Sequence, residues 1–124
     1  MSAVYVYVCS ALLLVTALVH SVLGEYRLIA PLLRSREGIL GIELVRFLLR
    51  FVWHFMSILF AVIAVALIAN QQDAGSGRTV LLLGTAIGVG GAGIVDAIAT
   101  RGRHIGWPLL VLIGVFALLG LWAR

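Results

Sequence analysis

The run FVWHFMSILFAVIAVALIA, residues 51–69, decides which solvent this chain folds in. It holds no Asp, Glu, Lys or Arg, and one histidine, His54, is its most polar member. A helix that crosses the roughly 30 Å hydrocarbon core of a bilayer needs about 20 mostly apolar residues. The run has that length. Residues 42–50 before it keep helical spacing, with Arg46 and Arg50 one turn apart, so one helix is expected over 42–69. Three further runs read the same way. Residues 3–23 are interrupted only by His20 and small hydroxyls, residues 79–100 carry Asp96 near their end, and residues 105–123 open with Gly106-Trp107-Pro108. Proline fits the first helical turn because the N–H it lacks would have no partner there.

Composition agrees. Of 124 residues, 63% are hydrophobic and 11% charged, with a mean hydropathy of +1.18. Soluble domains carry about 45–50% apolar and about 25% charged residues, and a chain this small cannot hide such an excess from water. The expected fold is an all-α, integral membrane four-helix bundle, a single domain over residues 1–124. A cleaved signal peptide is a poor reading of the first run, which lacks a positive n-region and exceeds the usual ~7–15 residue apolar stretch.

The connections differ in kind. Residues 24–41 mix Glu25, Arg27, Arg34, Arg36 and Glu37 with an apolar stretch broken by Pro31, which suggests a segment lying along the membrane surface. Residues 70–78 form a polar Gly/Ser turn, and residues 100–104 a tight basic one. The net charge of +4 comes from arginine alone. Arg27, Arg34, Arg36, Arg46, Arg50, Arg101 and Arg103 fall on one side of the bundle, Arg78 and Arg124 on the other. Positive residues accumulate on cytoplasmic loops, so a bacterial inner membrane with both termini external is expected. The arginines serve as helix-end anchors and contacts to anionic headgroups. No Lys/Arg tract with interleaved aromatics is present, which argues against nucleic acid. The lipid bilayer is the expected partner, with self-association or a place in a membrane complex beside it. Cys9, alone in the first run, offers neither a disulfide nor a CxxC motif and reads as a small buried hydrophobe.

Depth along the helices singles out one layer. At about 1.5 Å rise per residue, His20 lies roughly 7.5 Å inward of Glu25, His54 roughly 6 Å inward of Arg50, and Asp96 roughly 7.5 Å before Arg101. His104 marks the rim of the same layer. On the third helix Gly84, Gly88 and Ala92 form a small-residue row leading to Asp96, suited to close helix approach. Ionisable groups inside a membrane tend to face partners or cavities. His20, Glu25, His54 and Asp96 are therefore candidate ligands for a transition metal, since imidazole and carboxylate together suit several. A second possibility is haem b, held by His20 and His54 with Arg46 and Arg50 on its propionates. A third is that the histidines hydrogen-bond across helices, or to Asp96 and Ser57, as glue for a structural or assembly subunit. A small proton-coupled transporter is a fourth, although residues 3–19 hold no membrane-embedded carboxylate. Spacing does not choose among them: there is no HExxH and no pair of histidines at i, i+4. Glu25 is expected to pair with Arg27. Gly88–Gly93 follows no strand and makes a poor dinucleotide loop.

The segments HSVLGEYRL (20–28), PLL (31–33) and, after Arg46, WHFMS (53–57) resemble small uncharacterised four-helix bacterial membrane proteins with the pattern HSxxGE…PLL…WHxxS. The resemblance covers less than half of the chain and implies no activity. It implies that the two polar patches belong together.

In a Cys9→Ala background, single cysteines at positions 74–77 should react with an impermeant thiol reagent added outside cells, and those at 34–38 should not. The opposite labelling would invert the expected orientation.

Overall fold

Hydrocarbon offers the backbone no hydrogen-bond partner but itself, so each apolar run becomes a helix. The computed structural model describes residues 2–71 and 76–123. Among them are four helices and no strands. Helix α1 is Ala3–Arg34, α2 Glu43–Ala69, α3 Gly77–Ile98 and α4 Trp107–Trp122. The first three are long and apolar enough to cross a membrane, and α4, apolar throughout, is 16 residues long. The chain is an all-α helical bundle of a membrane protein.

The first helix does not end near residue 23. It runs on through a π-helical turn, Glu25–Ile29, and a last α-helical turn, Ala30–Arg34. The Ala30 N–H reaches back five residues to the Glu25 carbonyl. Pro31 sits in the first turn of the resumed helix, where its missing N–H and fixed φ are tolerated. The segment read from sequence as a surface-lying connection is thus largely helix. The connection proper is residues 35–42. It holds a 3-10 turn, Gly38–Gly41, entered through Gly38 at φ +57, a left-handed value that glycine adopts without penalty. Arg46 Nη1 donates to the Leu40 carbonyl at 2.8 Å and the Gly41 carbonyl at 3.2 Å, fixing the turn on the start of α2. Of the polar turn expected over 70–78, residues 72–75 lie outside the described residues.

Helix α1 packs along α2 on one side and α4 on the other, and α4 packs along α3. The core is built from Val6, Cys9 and Leu13 of α1, Ala64 and Leu67 of α2, Leu82 and Val89 of α3, and Ile113 and Ala117 of α4. These residues occupy the half of the bundle that holds both chain ends. Cys9 is buried there and its thiol donates to the Ile113 carbonyl. Outside the core the helices are coated with exposed Leu, Val, Ile and Phe, the surface a bilayer solvates.

The small-residue row on α3 is not the expected one. Gly84, Gly88 and Ala92 are exposed, and a Cβ added to either glycine would meet nothing within 4 Å. The face against α4 is Ala86, Gly90 and Gly93. A Cβ on Gly90 would come within 2.8 Å of the Gly114 Cα, and one on Gly93 within 2.8 Å of the Val111 nitrogen. A second π turn, Ala86–Gly90, lies across this stretch. The buried residues Leu82, Thr85, Val89, Gly90 and Gly93 keep helical spacing on this face, so the expected row was a different face of the same helix. Beyond α3 the chain turns through Arg101 (φ 53) and Gly102 (φ 73) into α4.

Gly90→Ala should therefore destabilise the bundle by about 1–3 kcal/mol through overpacking, while Gly84→Ala should stay within about 0.5 kcal/mol. Unfolding in mixed micelles measures both. Equal effects would contradict the assigned face.

Candidate functional site

The polar residues of α1 and α2 meet in one seam, and each is placed by helical spacing. His20, Ser21, Gly24 and Glu25 face α2, and Arg50, Trp53, His54 and Ser57 face α1. Two histidine–serine pairs cross the seam reciprocally. His20 Nδ1 lies 3.0 Å from Ser57 Oγ, and His54 Nδ1 lies 2.8 Å from Ser21 Oγ. To these pairs each helix supplies one imidazole and one hydroxyl, so the four groups satisfy one another. The Thr16 hydroxyl, one turn before His20, is buried with no hydrogen-bond partner among the described residues.

Trp53 is the wedge between the pairs. Its ring stacks on His20, with centroids 4.1 Å apart and planes 13° from parallel. Its Nε1 donates to the His20 carbonyl at 2.9 Å. The ring lies flat over Gly24, where an added Cβ would come within 2.6 Å of it. Only glycine leaves that space. Phe60 meets the same His20 ring edge-on, with centroids 6.4 Å apart.

The second pair continues outward as a chain. His54 Nε2 lies 3.3 Å from Glu25 Oε2, and Arg50 Nη2 lies 2.8 Å from Glu25 Oε1. A carboxylate only accepts, so a hydrogen bond to Glu25 puts the proton of a neutral His54 on Nε2. Nδ1 then presents its lone pair to the Ser21 hydroxyl. Along the chain the His54 side chain is 36% exposed, Glu25 23% and Arg50 50%, so the guanidinium is the open end. Glu25 thus pairs with residues one helix away and not with Arg27, because it lies one α-helical turn after Ser21 on the face that meets α2.

The expected ligand set is divided by this geometry. His20, Glu25 and His54 share the seam, with His20 turned to Ser57. Asp96 is hydrogen-bonded to His104 and has no contact with His20, Glu25 or His54 among the hydrogen bonds and ion pairs of the described residues. Among the described residues no group of three or more His, Cys, Asp or Glu side chains is placed to hold a metal ion. Arg46 and Arg50, the expected propionate partners, hold backbone carbonyls and Glu25 respectively. Sequence reading did not single out Ser21 or Gly24 for the site. The signal available for both was the HSxxGE pattern, whose first, second, fifth and sixth residues all touch α2.

Compared with protein-family models, curated proteins and solved structures, the chain matches none.

Gly24→Ala should push Trp53 off α1 and lower bundle stability by about 1–3 kcal/mol. In a Trp107→Phe, Trp122→Phe background, the emission of Trp53 should change with it. Unchanged stability and emission would mean that Trp53 does not lie on Gly24.

Proposed function

We propose that the seam is a proton-exchange site of a small multi-pass membrane protein. The observation that carries this reading is the unbroken chain from Ser21 through His54 and Glu25 to Arg50, which runs from between two helices to a half-exposed guanidinium. Histidine changes charge within the range of pH that membranes separate, and this pairing satisfies both of its charge states. In the neutral state Nε2–H donates to Glu25 and Nδ1 accepts from Ser21. On taking a second proton, Nδ1–H donates to Ser21 Oγ, the hydroxyl hydrogen rotates away, and the imidazolium stands against the Glu25 carboxylate. No heavy atom has to leave its place. The charge added at His54 weakens the claim of Arg50 on Glu25, so proton uptake is felt at the rim. The seven-to-two arginine bias supports placing that rim at the cytoplasmic face of an inner membrane.

A structural reading has its own support in the His20–Ser57 pair, which Trp53 covers. Interhelical hydrogen bonds of this kind contribute about 0.6–2 kcal/mol, and His20 is suited to that role. A metal reading retains two neighbouring ligands, Glu25 and His54. It lacks Asp96, which His104 engages.

Nitrogen-15 spectra of the histidines in bilayers separate these readings. His54 should show the Nε2–H tautomer when neutral and a doubly protonated form on acidification, and Glu25→Gln should weaken the preference for the Nε2–H tautomer. A His54 that never takes a second proton between about pH 8 and about pH 5 would rule out proton exchange. Stoichiometric zinc, lost in His54→Ala, would favour the metal reading instead.

A further inference from the structure

Two clefts adjoin on the outer side of the α1–α2 pair, and they differ sharply in character. The first, about 470 Å³, opens between the last turn of α1 and the first turns of α2. Its walls carry Arg34, Arg46 and Arg50 against one carboxylate, Glu43. That volume lies in the range of small-ligand sites, about 300–1,000 Å³. The second, about 220 Å³, continues from it along α2 and is lined by Phe47, Phe51, Phe55 and Ile58, with His54 at its side. Phe47 and Arg50 belong to both. A cationic mouth therefore leads directly into an apolar groove.

The groove has a built wall. Phe47, Phe51 and Phe55 stack in sequence, with centroids 6.1 and 5.8 Å apart and planes within 18° and 15° of parallel. From residue 47 to residue 58 an α-helix rises about 16 Å, close to half of a roughly 30 Å hydrocarbon core. The mouth is equally provided for. Arg50 gives Nη2 to Glu25 and keeps its remaining donors, Arg46 gives Nη1 to two carbonyls, and among the described residues Arg34 has no carboxylate partner. Guanidinium carries five donors in a fixed fork that matches the oxygens of a phosphate.

We propose that the two clefts are one binding site for a membrane lipid with a phosphate head group, the phosphate between Arg34, Arg46 and Arg50 and one acyl chain along Phe47, Phe51 and Phe55. Charge complementarity selects an anion, and continuity with a groove one leaflet deep selects an amphiphile over a free ion. The site shares Arg50 with the proton-exchange chain but rests on none of its chemistry.

The test is lipid titration of the purified full chain in detergent, read by native mass spectrometry, with phosphatidic acid against phosphatidylcholine of the same acyl chains. Phosphatidic acid should bind at least about tenfold more tightly. Arg34→Gln should reduce its affinity about tenfold, as expected for one lost charge-assisted hydrogen bond. Arg27→Gln, the same charge change at an exposed site outside the cleft, should leave it within about twofold. Equal losses in the two variants, or no preference between the lipids, would reduce the effect to general surface charge and overturn the proposal. Full displacement by inorganic phosphate at millimolar concentration would also overturn it, because the groove would then contribute nothing. A variant-free measurement stands beside these. Phosphatidic acid with a photoactivatable acyl chain should crosslink within residues 47–58 of the wild-type chain, and crosslinks spread evenly over the lipid-facing surfaces of all four helices would contradict the assigned site.

Discussion

An imidazole or a hydroxyl inside hydrocarbon has no water to fall back on, and that constraint fixes how α1 meets α2. Two imidazoles and two hydroxyls are distributed one of each per helix, so they are satisfied only when His20 faces Ser57 and Ser21 faces His54. A rotation or a one-residue slip of either helix would break both pairs together. The register of the seam is therefore set by polar groups, while its close approach is set by Gly24, which lets the Trp53 ring lie on the helix backbone. Apolar packing adds little specificity on this side, since α2 buries only Ser57, Ala64 and Leu67.

The rest of the structure follows from that seam. Glu25 reaches His54 and Arg50 from α1, and beyond it the helix widens into a π turn and continues to Arg34. The continuation forms one wall of the arginine cleft, and α2 forms the other. The apolar core occupies the opposite half of the bundle, where α1, α3 and α4 converge through Cys9, Leu82, Ile113 and Ala117. Aliphatic packing thus lies toward the chain ends and polar pairing toward the α1–α2 connection.

The helical fold was legible because run length and polarity report directly on a bilayer solvent. The extent of α1 was not, since Pro31 reads as a break unless a π turn precedes it, and nothing in composition announces such a turn. The glycines facing α4 were misassigned because α3 carries two small-residue stripes of helical period, Gly84, Gly88 and Ala92 on one face and Ala86, Gly90 and Gly93 on another, and periodicity does not say which meets a neighbour. The site was half legible. Counting rise per residue gives depth correctly enough to gather His20, Glu25 and His54. It gives no azimuth, so Asp96, at a similar depth, was grouped with them although its partner is His104. Ser21 carries too little chemical signal by itself, and only its pairing with His54 gives it a role.

The central claim is the reciprocal pairing across the seam, and a through-space correlation experiment on isotopically labelled protein in bilayers tests it most directly. Side-chain cross-peaks are expected between His20 and Ser57, between His54 and Ser21, and between His54 and Glu25. Cross-peaks linking His54 to Asp96, or joining neither histidine to a serine of the neighbouring helix, would contradict it.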